Sequence, residues 1–104
     1  MFDEFTRKKI KDSIQPLIIK FEKFFGEESL FNLKLTLEKI HEDLGGKTKY
    51  EVVCSMNTKI GNFRTVEKGW EILTVIDEIV KELTRLIAEK KEKLKSKRVL
   101  PANV

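Results

Sequence analysis

Between Ile10 and Phe25 the apolar side chains return every three or four positions, at Ile10, Ile14, Leu17, Ile18, Phe21 and Phe25. That is one stripe of a helix with 3.6 residues per turn. Asp3 or Thr6 is placed to cap its start, and Gly26 to end it as a glycine just past the last turn. Pro16 falls inside the stripe and lacks a backbone donor, which predicts a kink or a first turn there.

The period then changes from about four to two. Leu33, Leu35 and Leu37 alternate with polar residues, which predicts a strand over 30–40 with one buried face. The run from His41 to Thr48 reads as a turn, with Gly45-Gly46 supplying positive φ. A second strand over 49–58 places Tyr50, Val52, Cys54 and Met56 on one face. Ile60-Gly61-Asn62 forms a hairpin tip, and a short third strand runs from Phe63 to Val66.

From about Lys68 a second helical stripe begins: Trp70, Leu73, Ile76, Ile79, Val80, Leu83, Leu86 and Ile87. Lys81, Arg85 and Lys90 fall largely on another side. After Ala88 only Leu94 remains of the stripe, so the helix end projects into solvent or onto a partner. Pro101 marks the end of structure. The predicted order is α-β-β-β-α, a two-layer α+β sandwich in which two amphipathic helices cover an antiparallel sheet. Residues 1–98 form a single domain, followed by a flexible C-terminal tail over 99–104.

Charge adds a direction to this frame. Charged residues make up 37% of the 104 positions, well above the usual quarter, so the surface is heavily ionic. Residues 90–98, KKEKLKSKR, hold six basic groups against one acidic group, a local +5 beside a whole-chain +4. A basic excess gathered in one segment points to a polyanionic partner; its plainer reading is a solvated helix end whose lysines complement the macrodipole. Arg7, Lys8, Lys9 and Lys11 make a second cluster on the first helix. If the two helices lie side by side, both clusters can contribute to one electropositive layer. No apolar run approaches the length of a membrane helix, and nothing resembles a secretory leader. Cys54 is the single cysteine, as expected in a reducing cytoplasm.

Catalytic chemistry has little to build on. The single histidine, His41, stands beside Glu42 and Asp43 without a second His or Cys nearby, so it reads as an exposed turn residue rather than a metal ligand. Cys54 lies on the apolar side of its strand and reads as core. Gly45-Gly46 lacks the lysine-serine tail of a phosphate loop. No enzyme, no cofactor, no metal and no small-molecule substrate are expected. Trp70, Tyr50 and Phe63 are aromatic candidates for stacking on RNA bases, with Trp70 expected to pack in the core instead. Binding by charge and shape to phosphates is the chemistry the chain supports.

Lys20-Phe21-Glu22-Lys23-Phe24-Phe25, Trp70-Glu71-Ile72-Leu73-Thr74-Val75-Ile76-Asp77, Glu82-Leu83 and the tail Lys90-Lys91-Glu92-Lys93-Leu94-Lys95 form an ordered set along the chain. That set resembles the ribosome hibernation-promoting factor family over roughly residues 6–98, in its short form. The resemblance implies a non-enzymatic translation inhibitor of the cytoplasm, active in starvation or stationary phase. It would dock on ribosomal RNA of the small subunit, in the channel for mRNA and tRNA. The residues carried over are Lys90, Lys91, Lys93, Lys95, Lys97 and Arg98 and, more weakly, Arg7, Lys8, Lys9 and Lys11. The family opens with a β-strand before its first helix; here that strand is lost or reduced to Phe2–Phe5. A missing strand leaves an open sheet edge, and a homodimer through that edge is expected. Two other readings stand beside it: a double-stranded RNA-binding domain, which shares the element order, and, from another class, a small protein-interaction module such as a phage or toxin-antitoxin component.

Overall fold

In the computed structural model, which describes residues 2–99 and side chains through Leu94, Asp3 caps the first helix by accepting the Thr6 amide at 2.8 Å. Helix α1 spans Glu4–Phe25 and continues through Pro16. Gly26 ends it at φ 111°, donating its amide to Glu22 at 2.8 Å. Three strands follow, β1 (Leu30–Glu42), β2 (Thr48–Thr58) and β3 (Gly61–Gly69), and then helix α2 (Ile72–Val99). The α-β-β-β-α order and the open antiparallel sheet, β1-β2-β3, are those expected.

Both helices pack on one face of the sheet. Val52, Cys54 and Met56 of the central strand are fully buried there, against Ile76, Ile79 and Leu83 of α2 and Ile14, Leu17 and Phe21 of α1. Among the described residues, no element covers the other face. Its register aligns Asn32–Asn57–Asn62, Lys34–Ser55–Arg64, Thr36–Val53–Val66 and Glu38–Glu51–Lys68 in rows across the strands. Leu33, Leu35 and Leu37 of β1 point toward the helices but are only half-buried.

Several boundaries differ from the sequence expectation, each for a physical reason. The strand β3 runs on to Gly69 because Glu67, Lys68 and Gly69 find ladder partners in Val52, Glu51 and Tyr50. The last helix therefore begins at Ile72, not near Lys68, and Trp70 lies outside it. Trp70 is 41% exposed rather than core, with its ring edge-on to His41 at 5.8 Å and Lys49 above it at 5.9 Å. The strand β1 continues past Ile40, so His41 is a strand residue. The turn closes around Asp43, whose carboxylate accepts the amides of Gly45 and Lys47. Of the two glycines only Gly46 takes positive φ. Phe2–Phe5 is not a strand: Glu4 already starts the helix, and Phe2 packs on Tyr50 at 5.4 Å between ring centroids. Phe63 is buried and Tyr50 half-buried. The tail expected over 99–104 has Val99 inside α2; positions 100–104 lie outside the described residues.

The long axis is 64 Å against 23 and 16 Å across. The β1–β2 hairpin, exposed from Glu38 to Lys47, occupies one end. The α2 tail occupies the other.

Candidate nucleic-acid interface

The chain reverses at each connection, so α1, β2 and α2 run one way and β1 and β3 the other. This direction fixes where the basic clusters fall. Arg7, Lys8, Lys9 and Lys11 sit at the hairpin end, exposed on the first turns of α1, close to where Phe2 meets Tyr50. Lys90, Lys91 and Lys93 sit at the opposite end. The two clusters therefore do not form one layer within a single chain. Lys95, Lys97 and Arg98 follow on the last turns of α2, where side chains lie outside the described residues.

What joins the tail lysines is a set of cations from the rest of the fold. The last turns of α1 bring Lys20 and Lys23 to the rim of an apolar groove between the helices. This groove, about 490 Å³, is lined by Leu17, Phe21, Phe24, Phe25, Ile87 and Lys91 among others. Lys91 closes over Phe24, its ammonium 3.6 Å from the ring centroid. On the sheet side, the β2–β3 turn carries exposed Lys59. The Lys59 amide donates to Ser29 at 2.8 Å, which ties this turn to the α1–β1 connection. Thr58 shapes the turn by donating its hydroxyl to the Gly61 carbonyl at 2.6 Å. A Cβ built on Gly61 would lie 3.7 Å from Lys90 Cε, so Lys90 lies along the turn.

One end of the sandwich thus presents Lys20, Lys23, Lys59, Lys90, Lys91 and Lys93. Glu22 on α1, Glu27 and Glu28 in the α1–β1 connection and Glu92 on α2 share this end and lower its net charge. Further back on α2 the cations are already matched: Arg85 is held by both Glu82 and Glu89, and Lys81 by Glu78. The Arg85 bond holds the Glu82 carboxyl below its usual range, and Arg85 is shifted upward in turn. Among the described residues, none of the six lysines at the end is ion-paired within 4.0 Å. Such cations are free to displace counterions from phosphates.

Lys20 and Lys23 stand three apart on a helix, a spacing visible in the sequence. Lys59 carries no sequence signal, since only the packing of the β2–β3 turn beside α2 makes it a neighbour of Lys90.

Among the described residues, no group of three or more His, Cys, Asp or Glu could hold a metal ion. Burial pushes the Cys54 thiol up to about 11, so it stays protonated at neutral pH. No described helix is long and apolar enough to cross a membrane. No protein-family model matches the chain, and no curated protein is similar to it.

Proposed function

We propose that this protein is a ribosome-binding translation inhibitor of the hibernation-factor kind, acting in the cytoplasm on RNA of the small subunit. The observation that carries the RNA reading is the gathering at the α2 end of six lysines, from α1, the β2–β3 turn and α2, that have no ion-pair partner among the described residues. Their role is electrostatic: each replaces counterions on a phosphate, and the protruding tail of α2 occupies space between RNA segments. The choice of ribosomal RNA rests on the ordered resemblance of the α1 end and of α2 to that family.

Two features weigh against a duplex-RNA-binding domain. The first turn of α2, Ile72 to Val75, carries no cation, and the lysines lie at the other end of the helix. A protein-interaction module remains as an outcome of the test.

The test is co-sedimentation with purified small subunits at low and high salt. The wild type is compared with a variant carrying Glu at positions 90, 91, 93 and 95. The expected result is salt-sensitive binding by the wild type that the variant loses while keeping the same circular dichroism. Absence of binding at low salt would overturn the reading and turn attention to a protein partner.

A further inference from the structure

The edge of β1 has no neighbour among the described strands, and it is long: thirteen residues. Natural proteins blunt such edges with bulges or charge. Here the ladder is irregular between Leu30 and Asn32 and again between Lys39 and His41. These bulges leave a regular run over 32–39 with its edge open. On the bare face this run displays Lys34, Thr36 and Glu38; on the helix side it displays the half-buried Leu33, Leu35 and Leu37.

Glu38 is poorly placed within its own chain. Its direct cross-strand partner is Glu51, a like charge, and Glu51 is engaged by Lys68 at 3.6 Å. Like charges directly opposite each other destabilise a sheet. Among the described residues neither Glu38 nor Lys34 has an ion-pair partner within 4.0 Å.

We propose that the β1 edge pairs antiparallel with the β1 edge of a second copy, about a two-fold axis at Thr36, to form a continuous six-stranded sheet. In that register Thr36 faces its own copy, and Lys34 of each chain faces Glu38 of the other. Leu35 meets Leu37 of the other copy, and Leu33 meets the aliphatic stem of its Lys39. A two-fold in the sheet must pair residues on the same face, so only registers centred on a residue keep the leucines together. Moving the axis one residue either way sets Lys34 against Thr36 or against Ile40 and loses both ion pairs. The bulges confine pairing to the same stretch that the charges select.

The opposite edge does not have this self-complementarity. Pairing β3 with itself about Val66 would set Arg64 against Lys68, a repulsive match. The β1 pairing also lays the two α1 helices side by side in opposite directions. It brings Arg7, Lys8, Lys9 and Lys11 of one copy toward Lys20 and Lys23 of the other, and so unites basic clusters that a single chain keeps apart. The dimer itself does not depend on the RNA reading.

The measurement is sedimentation velocity on protein freed of nucleic acid, at low to high micromolar concentration, for wild type, Lys34→Glu, Glu38→Lys and the double swap. The wild type is expected to be a dimer. Each single reversal creates two like-charge contacts across the axis and is expected to weaken the dimer about tenfold or more. The double swap restores Glu–Lys contacts and with them the dimer. Glu38→Lys is the variant that separates folding from assembly: it sets Lys opposite Glu51 in its own chain, so at concentrations low enough for the wild type to be monomeric its thermal midpoint equals or exceeds that of wild type, while the dimer is lost at higher concentration. A wild type that stays monomeric at high micromolar concentration overturns the proposal. So does a dimer indifferent to both single reversals, and so do open-ended assemblies, which would indicate β1 pairing with β3.

Discussion

The Lys91 ammonium sits 3.6 Å from the centroid of the Phe24 ring, across the groove between the two helices. This contact holds the start of the basic tail against the end of α1. It also accounts for a phenylalanine left 56% exposed, because one face of the ring serves a cation instead of the core. Cation–π pairs at exposed sites contribute roughly 0.5–1 kcal/mol. A double-mutant cycle with Phe24→Leu and Lys91→Met, read by urea unfolding, is expected to return a coupling of about that size. A coupling near zero would mean that the two side chains merely lie close.

Lys59 is the cation that separates the folded interface from the linear basic tail. If it contacts phosphate, Lys59→Ala lowers the slope of log K against log salt by about one, in equilibrium binding to small-subunit RNA. Lys47→Ala, at the tip of the β1–β2 hairpin and outside both basic clusters, is expected to leave the slope unchanged. Equal effects from both variants would point to diffuse attraction rather than a docked end.

Gly26 closes α1 at φ 111°, ψ 152°, a conformation that side-chain-bearing residues rarely adopt. A Cβ there would meet no atom within 4 Å, so the cost of substitution is conformational rather than steric. Gly26→Ala is expected to lower unfolding stability by about 1–3 kcal/mol. Because the Gly26 amide and carbonyl are both bonded, to Glu22 and from Ser29, the cost is not relieved by a local shift. A thermal midpoint equal to that of wild type would contradict this account.

Cys54 makes stability depend on alkaline pH. Its pKa rises from 9.0 to about 11 on burial, so the folded state keeps a proton that the unfolded chain gives up. Stability from this group is complete below pH 9 and falls as pH rises toward 11, by on the order of 2 kcal/mol. The difference between wild type and Cys54→Ala in urea unfolding at pH 8 and pH 10.5 isolates the effect from other titrations. The loss between the two pH values should be smaller in the variant. A parallel decline in both would remove the thiol from the explanation.

The parts of the fold that repeat at a fixed local period were readable in the chain. Ile14, Leu17 and Phe21 recur with the helix, and Val52, Cys54 and Met56 alternate with the strand; all are buried as those periods require. The start of α2 was not readable, because Trp70 stands three residues before Leu73 and extends the helical stripe by coincidence. Nothing apolar in Glu67-Lys68-Gly69 announces a strand. Those residues join the sheet because β2 offers Val52, Glu51 and Tyr50 as ladder partners, and that contact is between segments distant in sequence. Part of the candidate interface was equally hidden. The tail lysines are a run in the sequence, whereas Lys59 joins them only through the packing of the β2–β3 turn.

The sequence by itself determined the number, kind and order of elements, the inward face of each, and a basic helix end free of the core. Side-chain periodicity and charge are local properties, and they are written residue by residue. Only the tertiary structure decided that the two basic clusters lie at opposite ends, that Lys20, Lys23 and Lys59 join the α2 tail, and that Glu38 faces Glu51 across the sheet. Helix direction and strand register follow from how the chain closes its core, because burying Val52, Cys54 and Met56 beneath the two helices excludes a one-residue slip, which would turn all three to the uncovered face.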